Sequence, residues 1–266
     1  MSAIPGLKKK LKSVRATGKL SKAMKTVSAA KFSRLSAAWK NYELYAGQFR
    51  FLYENEADTL PDVVVVLGSN RGFCGGFNSD VLRFFRENVP ECNNLIVCGE
   101  EMQQVFSEAG FSFETYSFGD VPKFADCEPL LARLSAMSDG QPLHALLVYP
   151  EFINTMTQTP TAVRLTLNPD SAEGDLEDYL CLPERKTVMQ ALYEKGSRSV
   201  LYGAVLSTAL GAQASTLMTM RSAYDTATEY SQALEGEIHR LRQSEVTSDV
   251  IETSSERGAK GETANG

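Results

Sequence analysis

No apolar run in this 266-residue chain exceeds five residues, Val63 to Leu67 being the clearest. A helix that crosses a bilayer needs roughly 20, so membrane insertion is not expected. The start, Met1-Ser2-Ala3-Ile4-Pro5, lacks an apolar signal core, and the chain reads as cytosolic or held at a membrane only through partners. Five cysteines (Cys74, Cys92, Cys98, Cys127 and Cys181) are scattered without a C-x-x-C pair, and there are two histidines, His144 and His239. That supply argues against a zinc centre and for reduced thiols used as core filler. Acidic residues are missing from residues 1–40, which carry eleven Lys or Arg; the other 226 residues hold 16 basic and 33 acidic side chains. A basic end on an acidic body implies an anionic partner for that end: nucleic acid, lipid or an acidic protein surface.

Catalytic signatures are also scarce. No G-x-S-x-G elbow occurs, and no cysteine has a histidine nearby in sequence. The one loop that invites a ligand is Gly68-Ser69-Asn70-Arg71-Gly72-Phe73-Cys74-Gly75-Gly76-Phe77-Asn78, which follows a buried strand and leads into a helix, where phosphate loops sit. It fits neither G-x-x-x-x-G-K-[ST] nor G-x-G-x-x-G and has no lysine for a terminal phosphate. Its glycines read as tight turns and close backbone approach, with Arg71 as a loop anchor.

Two long helical patterns bracket an alternating middle. Pro5 suits a first helical turn. Apolar residues recur at Leu7, Leu11 and Val14 and, after a phase step near Thr17-Gly18, at Leu20, Met24 and Val27, continuing through Leu35, Trp39, Tyr42, Phe49 and Leu52. This predicts a helix over about residues 6–54, softened or kinked at Gly18. At the far end Leu217, Met220, Tyr224, Ala227, Ser231, Leu234, Ile238 and Leu241 step by threes and fours, a coiled-coil seam on a helix from near Ser199 to Glu252. The segment Lys186 to Leu210 is also helix-like, weakened by Gly196, Gly203 and Gly211. Two such seams most readily bury each other as an antiparallel pair. Between them the pattern alternates: strands at Val63–Leu67, Leu95–Cys98, Phe113–Phe118, His144–Tyr149 and Ala162–Leu167, and helices at Asp80–Asn88, Glu100–Ala109 and Pro129–Met137. Strand–helix alternation with fully apolar strands predicts a mostly parallel Rossmann-like sheet covered by helices. The expected organisation is a discontinuous shaft over 1–60 and 185–252, an α/β domain over 61–184 and a disordered polar tail over 253–266.

These residues carry a family resemblance. The stretch from Leu11 through Lys19-Leu20-Ser21-Lys22-Ala23-Met24 to Lys31 is similar to the N-terminal helix of the gamma subunit of F-type ATP synthase. The Gly68–Asn78 loop resembles that family's signature loop, and Ala223–Glu229 and Arg240–Thr247 resemble its C-terminal helix. The resemblance implies an antiparallel coiled coil inside a hexamer of alpha and beta subunits, and an α/β foot on the membrane c-ring beside the epsilon subunit. It implies a rotor shaft without catalytic site, cofactor or metal, coupling ion flow to ATP synthesis or hydrolysis. It places the complex on the cytoplasmic face of a bacterial inner membrane, with no direct membrane insertion by this chain and no nucleic acid. Lys22, Met24, Arg242, Gln243 and Thr247 then match positions that contact the hexamer, and Gly68, Arg71, Gly72, Gly75 and Gly76 form a structural loop of the foot. The chain departs from the family pattern at Ala16, Asn70, Ala212, Thr216 and Thr226 and in its polar C-terminus. A gamma-like subunit of a second, ion-pumping F-type ATPase is the neighbouring reading. A nucleic-acid-binding coiled coil and a Rossmann-like enzyme with helical extensions are the rivals from other classes. The coupling ion, proton or sodium, is a property of the ring.

Overall fold

The computed structural model describes residues 4–46, 60–89, 94–138, 141–167, 182 and 184–262, with side chains up to Glu252. The expected helical stretch 47–54, Cys92, Cys181 and most of the acidic loop 169–184 lie outside them. Helix α1 spans Ile4–Ala46 and helix α5 spans Arg185–Glu262. Between them come β1 (Val63–Leu67), α2 (Phe77–Asn88), β2 (Leu95–Cys98), α3 (Glu100–Glu108), β3 (Glu114–Tyr116), α4 (Glu128–Ser138), β4 (Leu143–Phe152) and β5 (Gln158–Leu167). The two helical segments read separately, before and after Leu210, are one helix of 78 residues. It continues through the polar 253–262 segment expected to be disordered.

The sheet has the order β3-β2-β1-β4-β5. β1 sits at its centre, parallel to both β2 and β4, while β5 runs antiparallel at one edge. The β-branched run fits that place, because a central parallel strand is buried on both faces. Val63, Val65 and Leu67 face a core built with α4 and with Leu201, Ala204 and Val205 of α5. Val64 and Val66 face the other core, with Val81 and Phe85 of α2 and Met102 and Phe106 of α3. β4 and β5 are longer than the sequence pattern implied, because Pro150 and Pro160 pair with each other. A proline has no N–H to give a ladder, so two prolines on one rung leave the strands on either side free to pair.

The chain divides into two compact units, one of residues 1–25 with 220–266 and the other of 26–219. The boundary lies inside both long helices, away from the expected 60/61 and 184/185. The reason is burial. Leu35 and its neighbour Phe32 pack with Leu206, Leu210 and Phe152, and Leu201 to Val205 belong to the sheet's own core. The inner stretches of both helices are therefore structural parts of the α/β unit. An 18-residue window of α5 with mean hydropathy 1.2 is 61% buried, as a core helix should be. Two glycines that weaken its helix propensity serve close packing there. Gly203 lies against the Tyr42 ring, and a side chain at Gly211 would stand 3.0 Å from both Gln158 and Phe77.

In the other unit α1 and α5 are antiparallel. Arg15 bonds Glu235, Gly18 lies on Ala227, and Lys25 stands over the Tyr224 ring. The α5 seam holds as read: Met220, Ala227, Leu234 and Ile238 are buried. The α1 seam differs. Its inward residues are Ile4, Leu7, Leu11, Val14, Gly18 and Ser21, in unbroken steps of three and four. No phase step occurs, and α1 runs through Thr17-Gly18 as a single helix. Leu20 is 61% exposed and, in the α/β unit, Val27 is 53% exposed, while Ser28 is buried there. The heptad step fixed the facing side; the apolar side chains at 20 and 27 fall off it.

Candidate partner-binding surfaces

The helical unit is divided by charge. From Lys8 to Lys25 α1 carries eight cations and no acid, whereas α5 from Met220 to Glu252 carries seven acids and three arginines. Arg15 pairs with Glu235, and Lys10, Lys22 and Lys25 lie over Tyr230 or Tyr224 rings at 5.0–6.0 Å. Lys8, Lys12, Arg15 and Lys19, spaced one helical face apart, line an open groove of about 450 Å³ with Leu11 and Ala16. The groove is basic, with four cations and no acid in its lining.

The five expected contact residues fall in two groups. Lys22 is exposed, and Met24 beside it is half-buried. Arg242, Gln243 and Thr247 are exposed on α5, Thr247 donating to the Gln243 carbonyl at 2.8 Å. With Gly18 level with Ala227, Lys22 is level with residue 223, 20 residues from Gln243. At 1.5 Å per residue the two groups are about 30 Å apart. They are two places on the helical pair, not one site.

The Gly68–Asn78 loop is stapled to itself. Asn78 accepts from the Ser69 backbone N–H at 3.0 Å and donates to the Ser69 hydroxyl at 2.8 Å, both groups buried. Cys74 is buried beside them, and burial, partly offset by the Ser69 hydroxyl, raises its thiol pKa. Ser215 of α5 donates to the Cys74 carbonyl. Gly75 has φ +61°, the left-handed region, and Gly72 leaves room for Glu101, whose carboxylate would be 3.2 Å from an added Cβ. Gly68 passes against Met102, and Gly76 precedes α2 as its cap residue. Arg71 reaches Asp120 at 3.2 Å, and Lys31 of α1 bonds the same carboxylate oxygen. Burial pushes the Asp120 carboxyl up, but Lys31, Arg71 and Asn70 outweigh it, and its pKa lies below the ordinary value. The loop is thus tied to α1 and α5 through side chains. Sequence reasoning missed Asp120 and Lys31, 89 residues apart, for which no local signal exists; Ser69 and Asn78 were visible inside the motif.

Beyond the carboxyl ends of β1 and β2, where a Rossmann-like enzyme would hold its ligand, the cavity measures about 40 Å³. Val205, Thr208 and Ala209 of α5 form one of its walls. Ligand sites for nucleotides run to several hundred Å³. Cys98 lines this cavity, and burial raises its thiol pKa; burial pushes that of Cys127 up to about 12. Thr216 and Ala212, two departures from the family pattern, satisfy each other locally, the hydroxyl donating to the Ala212 carbonyl at 2.8 Å. Ala212 packs with Cys74 and Phe77, a place where a carboxylate would be buried.

The chain thus combines a mostly parallel five-stranded sheet with long helices at both ends, basic along α1 and acidic along the last stretch of α5. Comparison with known proteins identifies the family. The ATP synthase family model matches residues 4–258. The ATP synthase gamma chain of Polynucleobacter asymbioticus is 27% identical over 281 residues, covering 95% of this chain and 97% of that one. The gamma chain of Ligilactobacillus salivarius is 24% identical, covering 97% and 99%. In fold, a chain of the Euglena gracilis mitochondrial ATP synthase in its OSCP/F1/c-ring assembly matches with TM-score 0.80 at 17% identity, over 99% of this chain and 96% of that one. A chain of the Euglena rotor matches with TM-score 0.70 at 18% identity, over 92% and 99%. The chain belongs to the ATP synthase gamma-chain family, and so to the machinery of an enzyme complex.

Proposed function

We propose that this chain is the central rotor shaft of an F-type ATP synthase, held in the alpha–beta hexamer and standing on the membrane c-ring. It carries no catalytic group of its own and works as a peripheral subunit at the cytoplasmic face of a bacterial membrane. The single observation that supports this most is the helical pair, basic along α1 and acidic along α5. A rotor transmits free energy only if its partners bind its different sides with different strengths. A rod with the same chemistry on every side would transmit nothing. The groove of Lys8, Lys12, Arg15 and Lys19 then meets acidic surfaces of the hexamer at one angle, and the α5 side presents Glu229, Glu237 and their neighbours at another. Lys22 with Met24, and Arg242 with Gln243 and Thr247, are contact points at two levels about 30 Å apart. The Gly68–Asn78 loop, with Gly68, Arg71, Gly72, Gly75 and Gly76, is structural.

The small crevice supports the non-catalytic reading over a Rossmann-like enzyme. Co-expression with the alpha and beta subunits of the same cell tests the proposal. The expected result is a co-purifying complex that hydrolyses ATP, while the isolated chain binds no ATP in calorimetry. Failure to co-purify, or tight one-to-one ATP binding by the chain alone, would overturn it.

A further inference from the structure

Two kinds of contact hold the inner stretches of α1 and α5 in the α/β unit. One is apolar: Leu35 and Phe32 of α1 pack with Leu206 and Leu210 of α5 and with Phe152. Apolar burial has no direction of its own, so it opposes separation of packed helices more than a small slide of one along another. The other kind is polar and gathers at the Gly68–Asn78 loop. On α5, Gly211, Ser215 and Thr219 stand four residues apart on one face, and all three meet this loop. A side chain at Gly211 would stand 3.0 Å from Phe77, Ser215 donates to the Cys74 carbonyl, and a Cβ on Gly75 would stand 3.6 Å from the Thr219 hydroxyl. On α1, Lys31 bonds the Asp120 carboxylate oxygen that Arg71 of the loop reaches at 3.2 Å. Asn70 donates to the Phe118 carbonyl, which ties the segment carrying Asp120 to the loop a second time.

The chemistry and place of these bonds indicate their use. The Lys31 and Asp120 side chains are 24% and 19% exposed. An ion pair buried to that degree gives little net stability, because desolvation offsets attraction, and its best-attested use is to fix register. A serine hydroxyl on a backbone carbonyl is likewise short-ranged and directional. The loop that receives both bonds follows β1, which is paired with a parallel strand on either side. It is stiffened by the buried Ser69–Asn78 pair. A load placed on the loop therefore passes into the central strand of the sheet. Each helix also continues without a break beyond this unit, so a turning load on either helix reaches these bonds along its own backbone.

We infer that the Gly68–Asn78 loop is the torque anchor of the shaft: Ser215 pins α5, and Lys31, through Asp120 and Arg71, pins α1, to the end of β1. Lys31 and Ser215 are thus positioning residues that hand twist in the helices to the sheet without slip. The inference rests on the rotor-shaft reading and gives its structural loop a task. The test uses the assembled complex, with the hexamer fixed to glass and a bead on the c-ring. In the stalled complex the variance of the bead's angle reports the torsional stiffness between the two. Lys31→Met, which leaves Asp120 its Arg71 partner, and Ser215→Ala should each raise that variance about twofold, as loss of one of two parallel ties would. Lys31→Arg, which keeps the charge and the bond, should retain the unsubstituted variance. Phe32→Leu, which loosens the apolar packing, should lower the isolated chain's Tm yet leave the variance unchanged. Unchanged variance in Lys31→Met or in Ser215→Ala, a rise in Phe32→Leu as large as theirs, or a Lys31→Arg complex as soft as Lys31→Met would overturn the inference. The unsubstituted chain separates the two claims: if it does not assemble, the rotor-shaft reading falls as well, whereas if it assembles and the variants fail these expectations, this inference alone falls.

Discussion

The two units of this chain solve the same problem with opposite materials. The α/β unit is filled by large side chains, with Val64, Val66, Met102 and Phe106 among those wholly buried on one face of the sheet. The helical unit is joined in its middle by Gly18, Ser21 and Ala227, which bury little apolar area but let backbones approach closely. In the first, tight packing makes every atom matter. In the second, few atoms are buried and most of the chemistry faces outward.

Adding one methyl group in each region should expose that contrast. Gly99 has φ +103°, and a Cβ there would stand 2.5 Å from the Gly68 carbonyl oxygen. Gly99→Ala should therefore cost about 3–5 kcal/mol, from left-handed strain together with a backbone clash. Denaturant unfolding of the isolated chain would measure it, and a loss below about 1 kcal/mol would contradict the packing described. A smaller effect is expected at Asp120→Asn, about 1–2 kcal/mol, because Lys31 and Arg71 would lose a half-buried partner. The folded-state pKa of Asp120 is lowered, so its contribution is present above the ordinary carboxyl value of about 4 and lost as pH falls through the lowered one. The Tm difference between wild type and variant should stay constant near neutral pH and shrink below pH of about 4.

The legibility of the two regions in the sequence follows the same division. A β-branched run such as Val63–Val66 has one reading, and the glycine loop after it marks its own end. The α5 seam was legible because Met220, Leu234 and Ile238 are large and apolar. The middle of the α1 seam was not, because Gly18 and Ser21 look like surface residues and Leu20 looks like core. Periodicity arguments weigh side-chain hydrophobicity, and close-packed helices can be joined where there is hardly any. The Lys31–Asp120–Arg71 cluster and the Pro150–Pro160 rung depend on pairing distant segments, which no local pattern encodes. The expected contact residues were placed by resemblance, and the fold spreads them over two levels.

In the helical unit the same glycine-to-alanine change should have the opposite sign. A Cβ at Gly18 would meet the Ala227 Cβ at 3.4 Å, an ordinary contact. Gly18→Ala removes backbone freedom from the unfolded chain at a helical position, and should stabilise by about 0.5–1 kcal/mol. Destabilisation would mean that the helices are closer at that level than Gly18 and Ala227 imply. The smallest stability effect is expected at Lys22→Glu. Lys22 is exposed and stands 6.0 Å from the Tyr224 ring, at the outer reach of a contact worth about 0.5 kcal/mol in that setting. Assembly with alpha and beta subunits should survive. Coupling should not: reversing a charge on the basic side of the helical pair alters the difference in binding between one rotor angle and the next, which is the quantity a rotor transmits. Hydrolysis should continue while ion pumping per ATP falls, measured by fluorescence quenching of a pH-sensitive dye in inverted vesicles for a proton-moving ring. Unchanged pumping would remove Lys22 from the proposed contact surface.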